Sequence, residues 1–247
     1  MTISSGYGKI KVHSAGVVAL RKEETDMSNE ERILFKDKIT KKEYTVLVKE
    51  LLNAIDMGED VLKKFLLGCE NPALYSSHGT YQEEGHDHCG GLKGNRFTEK
   101  RFCKCLYYRN GKYYNSEECR ECDFADRFDI TGNYRITDYE VPAYFYGKGI
   151  GEIDLIISDG KTQYATELKP YKGNEETLLR MIAEIMTYTI GYPTGKYIKA
   201  IAFFEGTKQA AEFEEAVPEI KELLTKANIT VFRFEKTGEK AYKICRL

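Results

Sequence analysis

Apolar positions in the 247-residue chain first fall into a helical rhythm at Tyr44, Leu47, Val48, Leu51, Leu52 and Ile55, and it resumes after Gly58 with Val61, Leu62, Phe65 and Leu66. Recurrence at i, i+3, i+4 and i+7 predicts two helices, or one kinked helix, over about 41–68. Upstream the pattern is weak: 6–12 reads as a short strand, and 21–42 mixes charges of both signs. The stretch 70–100, with Pro72, Gly79, Gly85 and Gly90-Gly91, reads as loop. After Asp129 the rhythm shortens, and 139–146, 152–158 and 163–169 read as strands. Gly147-Lys148-Gly149 and Ser158-Asp159-Gly160 supply their turns. Residues 175–188 read as a helix with Leu178, Leu179, Ile182, Ile185 and Met186 on its apolar side. A mostly apolar strand over 197–204 suits a position covered on both faces. A helix over 207–227 follows, capped by Thr207 and kinked or split at Pro218, and strands at 229–234 and 241–244 close the chain. The order is βββαβαββ.

Composition narrows the class. Apolar residues at 42% and charged residues at 31% describe a globular chain, and no run approaches a membrane span. The N-terminus lacks a basic region followed by an apolar one, so a cytoplasmic location is expected. A net charge of −2 confines any nucleic-acid surface to a local patch. One such patch runs from Lys93 to Lys112, where seven Lys or Arg face one acid, Glu99, among Tyr107, Tyr108, Tyr113 and Tyr114. Basic residues meet phosphate and aromatics stack on bases, although the tyrosines could equally pack a small hairpin.

Five of the seven cysteines fall between 89 and 122. Asn110-Gly111 between two aromatic runs predicts a β-hairpin over 101–122, which brings Cys103-x-Cys105 and Cys119-x-x-Cys122 together. Four thiolates around a hairpin suit structural zinc, with an iron–sulfur cluster as the rival metal. His86, His88 and Cys89 are further candidate ligands, and Cys69 and Cys245 read as small core hydrophobes.

The second constellation is carboxylic. Alternation puts Ile153, Leu155 and Ile157 on one strand face with Asp154 opposite, and Glu167 shares a face with Lys169 on the next strand. Paired across the turn near Gly160, Asp154 and Glu167 converge. Two carboxylates hold a hard cation through oxygen, and an adjacent Lys positions or polarises a water.

Asp154, a twelve-residue gap and Glu167-Leu168-Lys169 resemble the PD-(D/E)XK, or restriction-endonuclease-like, nuclease superfamily, over roughly 130–235. The resemblance implies an α/β fold with a mixed central sheet flanked by helices, here with N-terminal helices and a cysteine-rich metal-binding insertion. It implies that Asp154 and Glu167 bind Mg (or Mn), that Leu168 lends its backbone carbonyl and that Lys169 assists catalysis. Ile153 stands where the family has proline, and Pro142 is not beside Asp154. A further upstream acid is common in the family; Glu140 is the choice, with Glu50 on the first long helix and Glu152 as rivals. Glu184 and Tyr188 look like the Gln-x-x-x-Tyr element of RecB-like nucleases, one helical turn apart and able to approach the site or substrate.

The expected organisation is a mainly helical region over 1–80, a Cys/His-rich zinc module over 81–130 and a nuclease-like core over 131–247. The expected function is Mg-dependent phosphodiester hydrolysis, with DNA ahead of RNA, no membrane partner and a homo-oligomer compatible with the sequence. The competing reading is the same fold without catalysis, a zinc protein that binds nucleic acid or a protein partner.

Overall fold

Thr40 opens the first helix through a reciprocal cap. Glu43 N donates to Thr40 Oγ1 over 3.2 Å, and Thr40 N donates to Glu43 Oε2 over 2.6 Å. Helix α1 runs Lys41–Asp56 and α2 runs Glu59–Leu67. Between them Gly58 adopts φ 102, a left-handed turn that carries no Cβ penalty, so one apolar rhythm becomes two helices. The computed structural model describes residues 40–67, 97–111, 117, 122, 124–143, 152–173 and 176–247. The expected strand over 6–12, Tyr113, Tyr114, the 147–149 turn, His86, His88, Cys89 and Cys119 lie outside them.

The main departure from the sequence reading is the third helix, α3, over Glu99–Asn110. The first limb of the expected hairpin is helical. Phe102, Cys103, Leu106 and their neighbours Cys105 and Tyr108 are buried, a burial pattern a helix satisfies when it lies on a sheet. Asn110 does not enter a hairpin turn. Its Nδ2 donates to Leu106 O (2.8 Å) and Phe128 O (3.1 Å), while its Oδ1 accepts from Ile130 N (2.6 Å). The residue expected to turn a hairpin instead closes the helix and ties it to the strand beginning at residue 129.

Seven strands form one mixed sheet: β1 Asp129–Thr131, β2 Arg135–Pro142, β3 Glu152–Ser158, β4 Gln163–Lys169, β5 Ile198–Phe204, β6 Ile229–Gly238 and β7 Ala241–Arg246, in the order β1-β7-β6-β5-β4-β3-β2. β4, β5 and β6 are mutually parallel, β1 is parallel to β7, and the remaining pairs are antiparallel. Parallel neighbours require crossovers, and helices supply them. α4 (Leu178–Thr189) joins β4 to β5; α5 (Lys208–Glu214) and α6 (Pro218–Lys226) join β5 to β6. Thr207 caps α5 by accepting from Ala210 N, and Pro218 at the start of α6 splits what the periodicity reads as one helix.

Two apolar layers cover the sheet. One gathers Leu47, Leu51, Met181, Ile182, Ile201 and Phe203, with α1 and α4. The other gathers Phe102, Leu106, Leu168, Ala202, Phe204 and Phe232, with α3. β5 feeds both layers, as expected for a strand covered on each face. In β3 the expected alternation slips: Leu155 and Ile157 enter the second layer and Ile153 the first. The slip brackets Asp154. Tyr139 pairs with Leu155 and Val141 with Ile153, so Glu140 stands opposite Asp154, and Glu140 has φ 49. A left-handed glutamate inside a strand is strained backbone, of a kind that clusters at functional sites.

Candidate metal centre

The β3–β4 hairpin pairs Leu155 with Thr166 across the Ser158–Gly160 turn. Extending that register by one residue sets Asp154 across from Glu167. Asp154 is fixed there because its Oδ2 accepts from Leu168 N over 2.8 Å. On β4, Leu168 points into the second layer, while Glu167 and Lys169 point to the opposite face, toward α4. Both are 3% exposed. Charges are costly to bury without compensation, and here they compensate one another: Lys169 Nζ donates to Glu167 Oε1 over 2.7 Å.

Lys169 collects three more acids. Its Nζ lies 3.3 Å from Glu99 Oε1 on α3, 2.7 Å from Glu176 Oε2 and 3.5 Å from Glu184 Oε2 on α4. Arg180 adds a second cation, 2.9 Å from Glu184 Oε1 and 3.4 Å from Glu176 Oε1. Five carboxylates (Glu99, Asp154, Glu167, Glu176, Glu184) thus gather about two cations (Lys169, Arg180), an excess of three negative charges.

The electrostatics register that excess. Burial, then the charge of Glu99, pushes Asp154 up to about 8. Burial, then Asp154, pushes Glu167 well above the usual carboxylate range, and burial raises Glu99 against the pull of Lys169. Burial also works against the charge of Glu184, but Lys169 and Arg180 hold it below its ordinary value. Lys169 goes the other way: burial opposes its charge, yet Glu167, Asp154 and Glu184 hold it well above an ordinary lysine. Three carboxyls facing one point are therefore short of positive charge.

Glu99, Asp154 and Glu167 each offer an oxygen within 4.8 Å of the others. That is about the span of two oxygens on opposite sides of one hard cation, at 2.0–2.6 Å each. Glu167 Oε2 is buried without a donor among the described residues. An orphaned buried carboxylate oxygen, an all-oxygen donor set and a local negative excess fit a divalent hard cation.

Beside the trio an open cleft of about 380 Å³ is lined by Thr98, Glu99, Lys100, Cys103, Glu140, Glu152 and Asp154. Lys100 Nζ lies 2.9 Å from Glu140 Oε2 and 3.6 Å from Glu152 Oε2, so these acids flank the cleft and bind an ammonium. Glu50 lies on α1 and is not part of the trio. The upstream acid the structure brings to Asp154 and Glu167 is Glu99, which sequence reasoning missed. Its signal was present: Thr98 accepts from Arg101 N as a helix cap, and Glu99 is the acid of the first turn. Glu184 faces Lys169, and one turn later the Tyr188 hydroxyl is pushed up by burial and by the charges of Glu167, Glu184 and Asp154. Glu176 and Arg180 also went unread in the sequence.

The four-cysteine zinc or iron–sulfur site is not assembled among the described residues. On α3, Cys103 and Cys105 are two residues apart and point about 160° away from each other around the helix, so their thiols cannot share a tetrahedral ion. Cys103 lines the cleft near Asp154, where burial and the charges of Asp154 and Glu99 push its thiol well up. Cys122 is half-buried.

No helix among the described residues is long and apolar enough to cross a membrane. No family model and no curated protein matches the chain. Among solved structures it is similar to Pyrococcus furiosus SfsA in complex with Ca2+, at 17% identity and a TM-score of 0.25 over 46% of this chain. It spans about half (53%) of that protein's length.

Proposed function

We propose that this protein is a metal-dependent nuclease that hydrolyses phosphodiester bonds, in DNA ahead of RNA. One observation carries the reading: Glu99, Asp154 and Glu167 converge within 4.8 Å, with an orphaned Glu167 oxygen, beside a buried lysine two residues along the same strand. Glu99, Asp154 and Glu167 would hold Mg or Mn. When bound, the cation lowers the pKa of a water and neutralises charge on the phosphate. Lys169 lies on the same side, its ammonium kept charged by the acids around it, and it serves to orient the attacking water and meet developing negative charge. The Leu168 N–H fixes the Asp154 carboxylate, and Arg180 steadies Glu176 and Glu184.

The test is cleavage of linear, circular and single-stranded DNA, and of RNA, with Mg or Mn, by wild type, Glu167→Gln and Lys169→Ala. Cutting by wild type alone supports the nuclease. Metal binding without cutting of any substrate overturns it in favour of a nuclease-like protein that binds nucleic acid or a protein partner.

A further inference from the structure

At the other end of the β4–β5 pair, α2, the end of α4, the 189–197 turn and β5 line a half-open cavity of about 300 Å³. Leu62, Leu66, Met186 and Ile190 form its apolar wall, and Tyr192 and Tyr197 its aromatic one. The two tyrosines pack edge to face, centroids 5.1 Å apart, with Lys196 Nζ 4.8 and 5.2 Å from them. Into this cavity β5 sends Lys199, whose side chain shares the sheet face of Ile201 and Phe203. Among the described residues Lys199 has no ion pair or hydrogen bond to its ammonium, and burial alone pushes it below an ordinary lysine. The one acid on the lining, Glu59, is held by Lys63 at 2.6 Å. Thr189, Thr194 and Asn228 add further polar groups to the lining.

We propose that this cavity is a binding site for a small aromatic anion, a planar apolar body carrying a phosphate or carboxylate, with Lys199 as its counter-ion. A half-buried cation with no acid opposite among the described residues is costly, and an anion removes that cost. The volume and the mix of apolar walls with one convergent charge match a small-molecule site. The inference does not rest on the nuclease reading, since none of these residues belongs to the metal centre.

Calorimetric titration of the full chain with phenyl phosphate, benzoate, inorganic phosphate and benzyl alcohol tests it, on wild type and Lys199→Met, which keeps the apolar stem. Phenyl phosphate or benzoate should bind wild type, and whichever binds should lose about tenfold or more in affinity in Lys199→Met, as for a charge-assisted contact. The tighter of the two separates a phosphate head from a carboxylate. Equal binding of benzyl alcohol would overturn the anionic half of the proposal, and equal binding of inorganic phosphate the aromatic half. Failure of both aromatic anions on wild type, or unchanged affinity in Lys199→Met, overturns the site. A cooperative thermal transition retained by Lys199→Met shows that the variant is folded.

Discussion

Lys169 and Lys199 lie on adjacent strands and on the same face of the sheet, and the protein treats them in opposite ways. In the β4–β5 register Ala165 pairs with Lys199 and Phe203 with Lys169, so the two lysines sit four residues apart along the ladder, about 13 Å. Lys169 is 3% exposed and surrounded by carboxylates, so its charge survives burial. Lys199 is less buried yet has no acid opposite it among the described residues, and desolvation pushes it down. Burial therefore does not by itself decide a lysine's state. The sign of what faces it does, and the two ends of this strand pair suit opposite ligands: a cation where acids are in excess, an anion where a cation has no acid opposite it among the described residues.

The largest effect should come from removing the acid end's function. Asp154→Asn and Lys169→Ala are expected to lower phosphodiester cleavage by about 10²–10³-fold or more, read as initial rates with Mg or Mn. Retained activity in either would remove the reason for treating the two lysines as functionally different. Metal affinity sharpens the contrast next: Glu167→Gln should lose more than the roughly 10–100-fold typical of outer-shell partners, while Lys199→Met loses none.

The pH dependence differs in sign between the two ends. Asp154 is raised to about 8, so between the ordinary carboxylate range and that value the folded chain binds more protons than the unfolded one. Without metal, the Asp154 contribution to stability is therefore present in acid and lost as pH rises toward 8. Metal must displace that proton, so affinity should climb as pH rises toward 8, by about tenfold per pH unit for each proton displaced. A flat affinity profile by titration would break the assignment of Asp154 as a ligand. For Lys199 the folded pKa is depressed, so its contribution is recovered as pH rises from its lowered value toward the ordinary lysine range.

Smaller effects follow at single side chains. Lys199→Met should leave thermal stability unchanged or raise it, by about 2–4 °C for each kcal/mol regained, because it removes a half-buried ammonium that has no acid partner among the described residues. Cys103→Ala should cost about 1–2 kcal/mol by loss of packing at a fully buried position, equally with and without a zinc chelator. A chelator-dependent difference would restore the metal role that the helical geometry argues against.

The strand and helix order after residue 130 was legible because it rests on local signals. The β3 and β4 boundaries, the Gly160 turn, the Thr207 cap and the break at Pro218 are written within a few residues of where they act. The site's own hairpin is local too, so Asp154, Glu167 and Lys169 could be placed together from spacing. What misled was Asn110-Gly111. That dipeptide favours a two-residue turn in isolation, but its amide found longer-range partners in Phe128 and Ile130, and Phe102 found a sheet to lie on. Short aromatic runs suit either periodicity, and the partner surface chooses.

By itself, then, the sequence determined an α/β order of strands and helices and an acid–acid–lysine group on adjacent strands, since short-range periodicity carries that information, while the mixed sheet was implied by the family resemblance alone. Only the tertiary structure decided that Glu99 is the third acid, that Glu176 and Glu184 gather at the same lysine, that the cysteines of α3 diverge, and that Lys199 stands without an acid among the described residues. Each of these depends on which distant elements pack together. Contacts of that kind, between residues as far apart as Glu99 and Lys169, are set by how whole apolar faces fill one another, which no local window of the chain records.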